Sequence, residues 1–145
     1  MKAKEYLGQI ERIDKLIENK IFEKEHWMSV ATSTSTYSEG DRVQSSGSKQ
    51  KMADAVCRYL SMEDEINEAI DRLIDLKQEV ISTIEKLPSV DEYDVLHKTY
   101  VQLMTLQEVA AAKDKSYSWV TTIHGKALKH LQDILDERKR NGLQK

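Results

Sequence analysis

The feature that most constrains this chain is one long apolar seam between Lys49 and Leu87. Met52, Val56, Tyr59, Glu63, Ile66, Ile70, Leu73, Lys77, Val80, Ile84 and Leu87 follow one another in alternating steps of four and three, and nine of the eleven are apolar. An α-helix gathers residues so spaced onto one side, and a stripe repeating every 3.5 residues needs a partner helix along most of its length. The predicted helix, Lys49 to Leu87, is roughly 60 Å long at ~1.5 Å per residue. Pro88 ends it and marks a domain boundary.

The nearest partner lies upstream. Over residues 2–28, Tyr6, Ile10, Ile13, Ile17 and Trp27 recur at helical spacing, with Leu7, Leu16 and Ile21 beside them and Glu and Lys residues between. This predicts an amphipathic helix. Between the two helices, residues 29–48 turn small and polar, with Gly40, Gly47 and a serine-threonine run, and read as a long loop. The expected element is therefore a helical hairpin over residues 1–87, coiled-coil in character. The first helix is shorter than the second, so part of the seam stays uncovered. That remainder predicts contact with the C-terminal part or self-association as a homo-oligomer, a dimer.

Composition agrees with an all-α chain. One proline and five glycines stand among abundant Glu, Lys, Leu and Ile, and 32% of the residues are charged. No apolar run is long enough to span a membrane, and no signal-peptide stretch is seen at the N-terminus, so a cytoplasmic protein is expected. The lone Cys57 rules out an intrachain disulfide framework. No phosphate loop, paired-carboxylate site or nucleophile elbow is recognisable, and His26, His97, His124 and His130 lack metal-ligand spacing. The expectation is a non-enzyme with no catalytic residue, no metal and no cofactor.

Past Pro88, Ser89 caps an expected helix from about Val90 to Leu103. Thr105 then opens a short helix carrying Leu106, Val109 and Ala110. The polar Lys113-Asp114-Lys115 breaks it, and Ser116 or Ser118 caps a second helix carrying Val120, Ile123, Ala127, Leu128 and Leu131. This last helix continues through Ile134 and Leu135 to the basic Arg138-Lys139-Arg140, and Asn141-Gly142 stops it. Two short helices joined by a tight turn are the layout of a helix-turn-helix, whose second helix can enter a DNA major groove. Net charge is −3, but residues 91–145 hold 9 basic against 8 acidic residues, and Lys113, Lys115, Lys126 and Lys129 cluster around this element. On a helix starting near Tyr117, Ser118, Thr121, Thr122 and Gly125 face away from the apolar set. The expected DNA-binding residues are Ser116, Tyr117, Ser118, Thr121, Thr122 and Gly125, with Lys126 and Lys129 on phosphates. Threonine bonds several bases, so the implied readout is loose. Trp119 suits either an interface or packing on the preceding helix, and His124 reads as a half-buried hydrogen-bonding residue.

These residues carry a resemblance. Thr105, Glu108, Val109, Ala110, Ser116, Val120, Ile123, Ala127, Leu128 and Leu131 stand where the helix-turn-helix of region 4 of bacterial sigma factors has its matching positions. The whole chain also resembles a family of phage and prophage regulators of the ArpU and RinA types. It does so through Ala3 to Leu7, Arg42-Val43-Gln44, Gly47-Ser48, Lys51 to Val56, Tyr100-Val101-Gln102 and Ile123 to Leu128. The resemblance implies a DNA-binding transcription regulator that switches on late phage genes, working on double-stranded DNA with host RNA polymerase. Departures are local. Asp114 replaces the turn glycine, Lys113 and Lys115 replace apolar neighbours, and Leu103-Met104 replaces a glycine before Thr105. Tyr117-Ser118-Trp119 stands where relatives carry Arg or Gln, the side chains suited to bidentate base readout.

The sequence reading is thus an all-α protein: a hairpin over 1–87 with a polar loop at 29–48, then a sigma region 4-like helix-turn-helix domain over 88–145. The alternative is a phage inhibitor or adaptor that binds a host protein through a worn helix-turn-helix.

Overall fold

Helix-favouring segments separated by few breakers give an all-α chain in the computed structural model, which describes residues 1–36 and 46–143. Helix α1 runs Ala3–Thr36 and α2 runs Ser46–Ile84. After a turn at Pro88, α3 spans Val90–Leu96 and passes directly into a π-helical turn, His97–Val101. Helices α4, Leu106–Lys113, and α5, Tyr117–Leu143, follow.

Several boundaries differ from the sequence expectation, α5 among them, which runs past Asn141-Gly142 to Leu143. Residues 29–36, read as loop, continue α1, and Ser46 to Ser48 already belong to α2, while residues 37–45 lie outside the described residues. Thr32 illustrates how a polar run stays helical. Its hydroxyl donates to the Met28 carbonyl at 3.0 Å and to that of Ser29 at 3.1 Å, satisfying the side chain along the helix rather than against it. The expected single helix from Val90 to Leu103 instead stops at Leu96. The Gln102 N–H then reaches back five residues to the His97 carbonyl, and Leu103 closes the turn with a left-handed φ of 59°. Finally, α2 ends at Ile84, with Leu87 in the turn that follows.

Backbone contacts gather the chain into two units, Ile13–Arg72 and Met1–Arg12 with Leu73–Lys145. In the Ile13–Arg72 unit, Lys20 pairs with Glu65 at 3.6 Å, and Lys24 pairs with Glu63 at 3.2 Å while lying over the Tyr59 ring. Later α1 residues meet earlier α2 residues, so the two helices run antiparallel here. The buried residues are Ile17, Ala55, Met62, Ile66 and Ala69. The seam in this half of α2 therefore keeps Ile66 of the expected set but turns toward Ala55, Met62 and Ala69, leaving Met52, Val56 and Ile70 exposed. Two neighbouring stripes share the same three-four spacing. The stripe that carries Ala55, Met62 and Ala69 is the buried one, and periodicity does not distinguish that choice.

In the other unit the expected stripe does hold, and Val80, Ile84 and Leu87 are buried with Tyr6, Leu7 and Ile10 of α1, Leu96 of α3, and Ala127 and Leu131 of α5. Pro88 thus lies inside this unit, and apolar side chains from both sides of it share one core. A polar node sits within that core. Thr83, 1% exposed, donates its hydroxyl to the Glu79 carbonyl at 2.9 Å. The same oxygen lies 3.0 Å from the Tyr6 hydroxyl and accepts from Arg138 Nη2 at 2.8 Å. Three helices are tied at one atom. Thr83→Val keeps shape and adds apolar surface, yet it strands the Tyr6 hydroxyl and one Arg138 donor. A loss of about 1–3 kcal/mol in urea unfolding is expected, whereas an unchanged midpoint would show the node contributes nothing.

Candidate nucleic-acid interface

The candidate site is built on α4, the turn after it and the first half of α5. Thr105 caps α4 as its sequence predicts: its hydroxyl accepts from the Glu108 N–H at 3.1 Å and donates to the Glu108 carboxylate at 3.1 Å. At the other end Asp114 takes the left-handed conformation, φ 53° and ψ 47°. The Lys115 N–H returns to the Ala110 carbonyl at 3.0 Å and the Asp114 N–H to that of Ala111 at 3.3 Å. This pair of bonds is a Schellman closure, in which glycine is the usual left-handed residue. Of the two candidate caps for α5, Ser116 is the one used, accepting from the Trp119 N–H at 3.0 Å, and Ser118 lies within the helix.

From this start α5 is two-sided. Val120, Ala127 and Leu131 are fully buried. Val120 belongs to a small core with Val95, Val109 and Ala110, onto which Met104, Leu106, Trp119 and Ile123 pack. Among the expected residues, Ser116, Tyr117, Ser118, Thr122, Gly125, Lys126 and Lys129 are exposed, and Thr121 is half-buried. Of these, Ser118, Thr122, Gly125 and Lys129 share the face opposite the buried stripe, whereas Tyr117 and Lys126 lie on its two flanks. The hydroxyls of Thr121 and Thr122 both donate to the Ser118 carbonyl at 2.9 Å. Gly125 sits among them with nothing within 4 Å of where a Cβ would be. No neighbour among the described residues requires it to be glycine.

The lysine cluster is less open than its sequence suggested. Lys113 is withdrawn from solvent by Asp94, which it meets with its ammonium, and by Asp91 at 3.6 Å. Asp94 also holds Lys98 at 2.8 Å. Burial works to raise the Asp94 carboxyl, but its bonds to Lys113 and Lys98 outweigh this and leave it below the ordinary carboxylate range. Trp119 resolves in favour of packing: its ring lies against the small core, with Lys113 at 5.9 Å and Lys115 at 5.3 Å from its centroid. Lys115, Lys126 and Lys129 remain exposed.

Asp94 and Tyr100 were not legible as parts of this site, since each lies on an earlier element with no distinguishing spacing. Tyr100 leaves the π-helical turn to stack on His124 and hydrogen-bond its Nε2 at 2.9 Å. His124 is half-buried, as expected. Burial, and then the nearby Lys4, push its imidazole below the ordinary histidine range, and burial does the same to His97.

The family described as "Protein of unknown function (DUF1492)" matches residues 30–132, which takes in α2 through the first half of α5. The chain belongs to the DUF1492 family. No curated protein and no solved structure matches it. Among the described residues of this DUF1492 member, no helix is long and apolar enough to cross a membrane, and no group of three or more His, Cys, Asp or Glu is arranged to hold a metal.

Two outcomes follow from the local chemistry. Asp114→Gly removes the cost of a left-handed non-glycine residue and should raise stability by about 1 kcal/mol in thermal unfolding; a loss would mean that the Asp114 carboxylate makes a contribution of its own. For His124 and His97 the folded state disfavours the proton, so the unfolded chain binds more protons below the ordinary value of 6.5. Their contribution is complete above that pH and is lost as pH falls through the window beneath it. Unfolding midpoints at about pH 7.5 and about pH 5.5 should therefore differ less in His124→Gln than in the parent chain.

Proposed function

We propose that this chain is a phage-derived transcription regulator that binds double-stranded DNA through α4 and α5 in the bacterial cytoplasm, activating late genes together with host RNA polymerase. The observation that carries this reading is the outward face of α5. It offers hydroxyls, a bare glycine and two lysines, while the opposite stripe anchors the helix on α4 and α3. Such a face is narrow enough for a major groove. Because the Thr121 and Thr122 hydroxyl protons are committed to the Ser118 carbonyl, their oxygens suit the amino groups of adenine or cytosine. Gly125 lets a sugar-phosphate backbone approach without displacing a side chain. Lys126 and Lys129 supply the phosphate contacts, and Lys115 adds a third charge at the start of the helix. The reading requires no cofactor and no catalytic residue. The ArpU/RinA-like resemblance supports the same assignment, and a dimer would offset the weakness of one small basic patch by presenting two reading helices.

A DNA titration against fragments upstream of late phage genes, at two salt concentrations, tests it. Lys126→Ala/Lys129→Ala should weaken binding to every fragment and flatten the logarithmic salt dependence by roughly 2. Gly125→Ala gives a sharper discrimination. Alanine should stabilise α5 by up to about 1 kcal/mol, yet it should weaken DNA binding if the backbone passes over this point. Stabilisation with unchanged DNA affinity would remove Gly125 from the interface.

A second reading, an inhibitor or adaptor that binds a host protein, draws on Tyr117, which is 53% exposed at the start of α5, and on the withdrawal of Lys113. Binding that shows no fragment selectivity, together with a host-protein complex lost in Tyr117→Ala, would favour it.

A further inference from the structure

We propose that Lys4, in the first turn of α1, contacts the second phosphate strand of the DNA, so that α5 lies in the groove with a cation on each side of it. The inference rests on the DNA-binding reading and assigns α1 a part in it. A major groove is walled by two phosphodiester backbones, and a helix lying in it runs between them. Lys126 lies on one flank of α5 and Tyr117 on the other. At ~100° per residue, Thr121, His124 and Gln132 fall on the Tyr117 side. From Tyr117 to Gln132 that side holds no Lys or Arg, so the lysines of α5 answer only one wall of the groove.

The first turn of α1 is docked on this bare flank. Gln132 accepts from the Ala3 N–H at 2.8 Å and donates to the Met1 carbonyl at 3.4 Å. Ala3 is 5% exposed and shares a core with Ala127 and Leu131, so apolar packing holds the turn against α5 as well. Lys4 is the next residue, and its charge is felt at His124, where it joins burial in disfavouring the imidazolium. Lys4 is exposed and has no ion pair among the described residues. Two carboxylates lie near it on α1. Glu5 points about 100° further round the helix. Glu11 lies two turns along on the same side, in a recess with Tyr100 and Thr105. Neither pairs with Lys4 among the described residues. The flank without a lysine of its own is therefore the one beside which α1 sets an unpaired cation. Lys126 and Lys4 stand on opposite sides of the outward face, the arrangement that two phosphate strands require.

The test is a salt-dependent titration of the parent chain, Lys4→Ala and Lys4→Arg against double-stranded fragments from upstream of late phage genes. Lys4→Ala should weaken binding to every fragment and flatten the logarithmic salt dependence by roughly 1. Lys4→Arg keeps the charge and should hold the parent's slope; an equal loss in both variants would overturn the proposal. A parent chain that binds no fragment overturns the DNA reading and this inference with it. A slope that falls in Lys126→Ala/Lys129→Ala and stays unchanged in Lys4→Ala overturns this inference alone. Alanine at an exposed helical position should leave helical circular dichroism unchanged. Should Lys4→Ala lose helicity, lysine acetylation of the parent chain, read by mass spectrometry, decides. The fragment should protect Lys4 together with Lys126, and equal acetylation of Lys4 with and without DNA would overturn the assignment.

Discussion

The burial of one stripe of α5 is the constraint on which the candidate site depends. Val120, Ala127 and Leu131 are fully enclosed, and the helix that carries them is thereby fixed in rotation. Because side chains on a helix are set about 100° apart, fixing the buried stripe fixes the outward one. Ser118, Thr122, Gly125 and Lys129 are presented to solvent as a consequence of where Val120 and Ala127 must go. The outward face needs no contacts of its own to be held in place.

What braces α5 is more polar than its apolar stripe implies. Arg138 reaches Thr83 and Glu79, and Gln132 accepts from the Ala3 N–H at 2.8 Å, bonding α5 to the first turn of α1. His130 bonds the carboxylate of Glu92, which is 4% exposed. Near the turn, Asp94 holds Lys113 against Trp119. Buried polar groups of this kind contribute modestly when satisfied and are costly to break, so they favour one arrangement of the helices over alternatives that bury the same apolar area. The two left-handed residues fit the same pattern. Leu103 and Asp114 both adopt a conformation that glycine takes more readily, and they stand at the two ends of the segment that positions α4.

Much of the fold was legible because it rests on local rules. The Thr105 cap, the break at Asp114, the α5 apolar set and the antiparallel pairing of α1 with α2 each follow from residue type and spacing. Other features were illegible for physical reasons. Thr32 was read as loop because serine-threonine runs favour loops, yet each hydroxyl can also satisfy itself on the helix backbone. The π-helical turn at His97–Val101 has no composition that distinguishes it from ordinary helix. Lys113 counted with the open lysine cluster, since nothing in its own segment reveals Asp94 nineteen residues earlier.

The sequence by itself determined that the chain is all-α, that α5 has one apolar and one polar side, and that Thr105 and Asp114 bound α4. Those are properties of a helix and its ends, fixed within a few residues of backbone. Tertiary structure alone decided which stripe of α2 faces α1 around Met62, which lysines stay free, and that Thr83 links three helices. Each of these depends on what a side chain meets across space. Helical periodicity specifies the direction in which a residue points and leaves its neighbour to the packing of other segments.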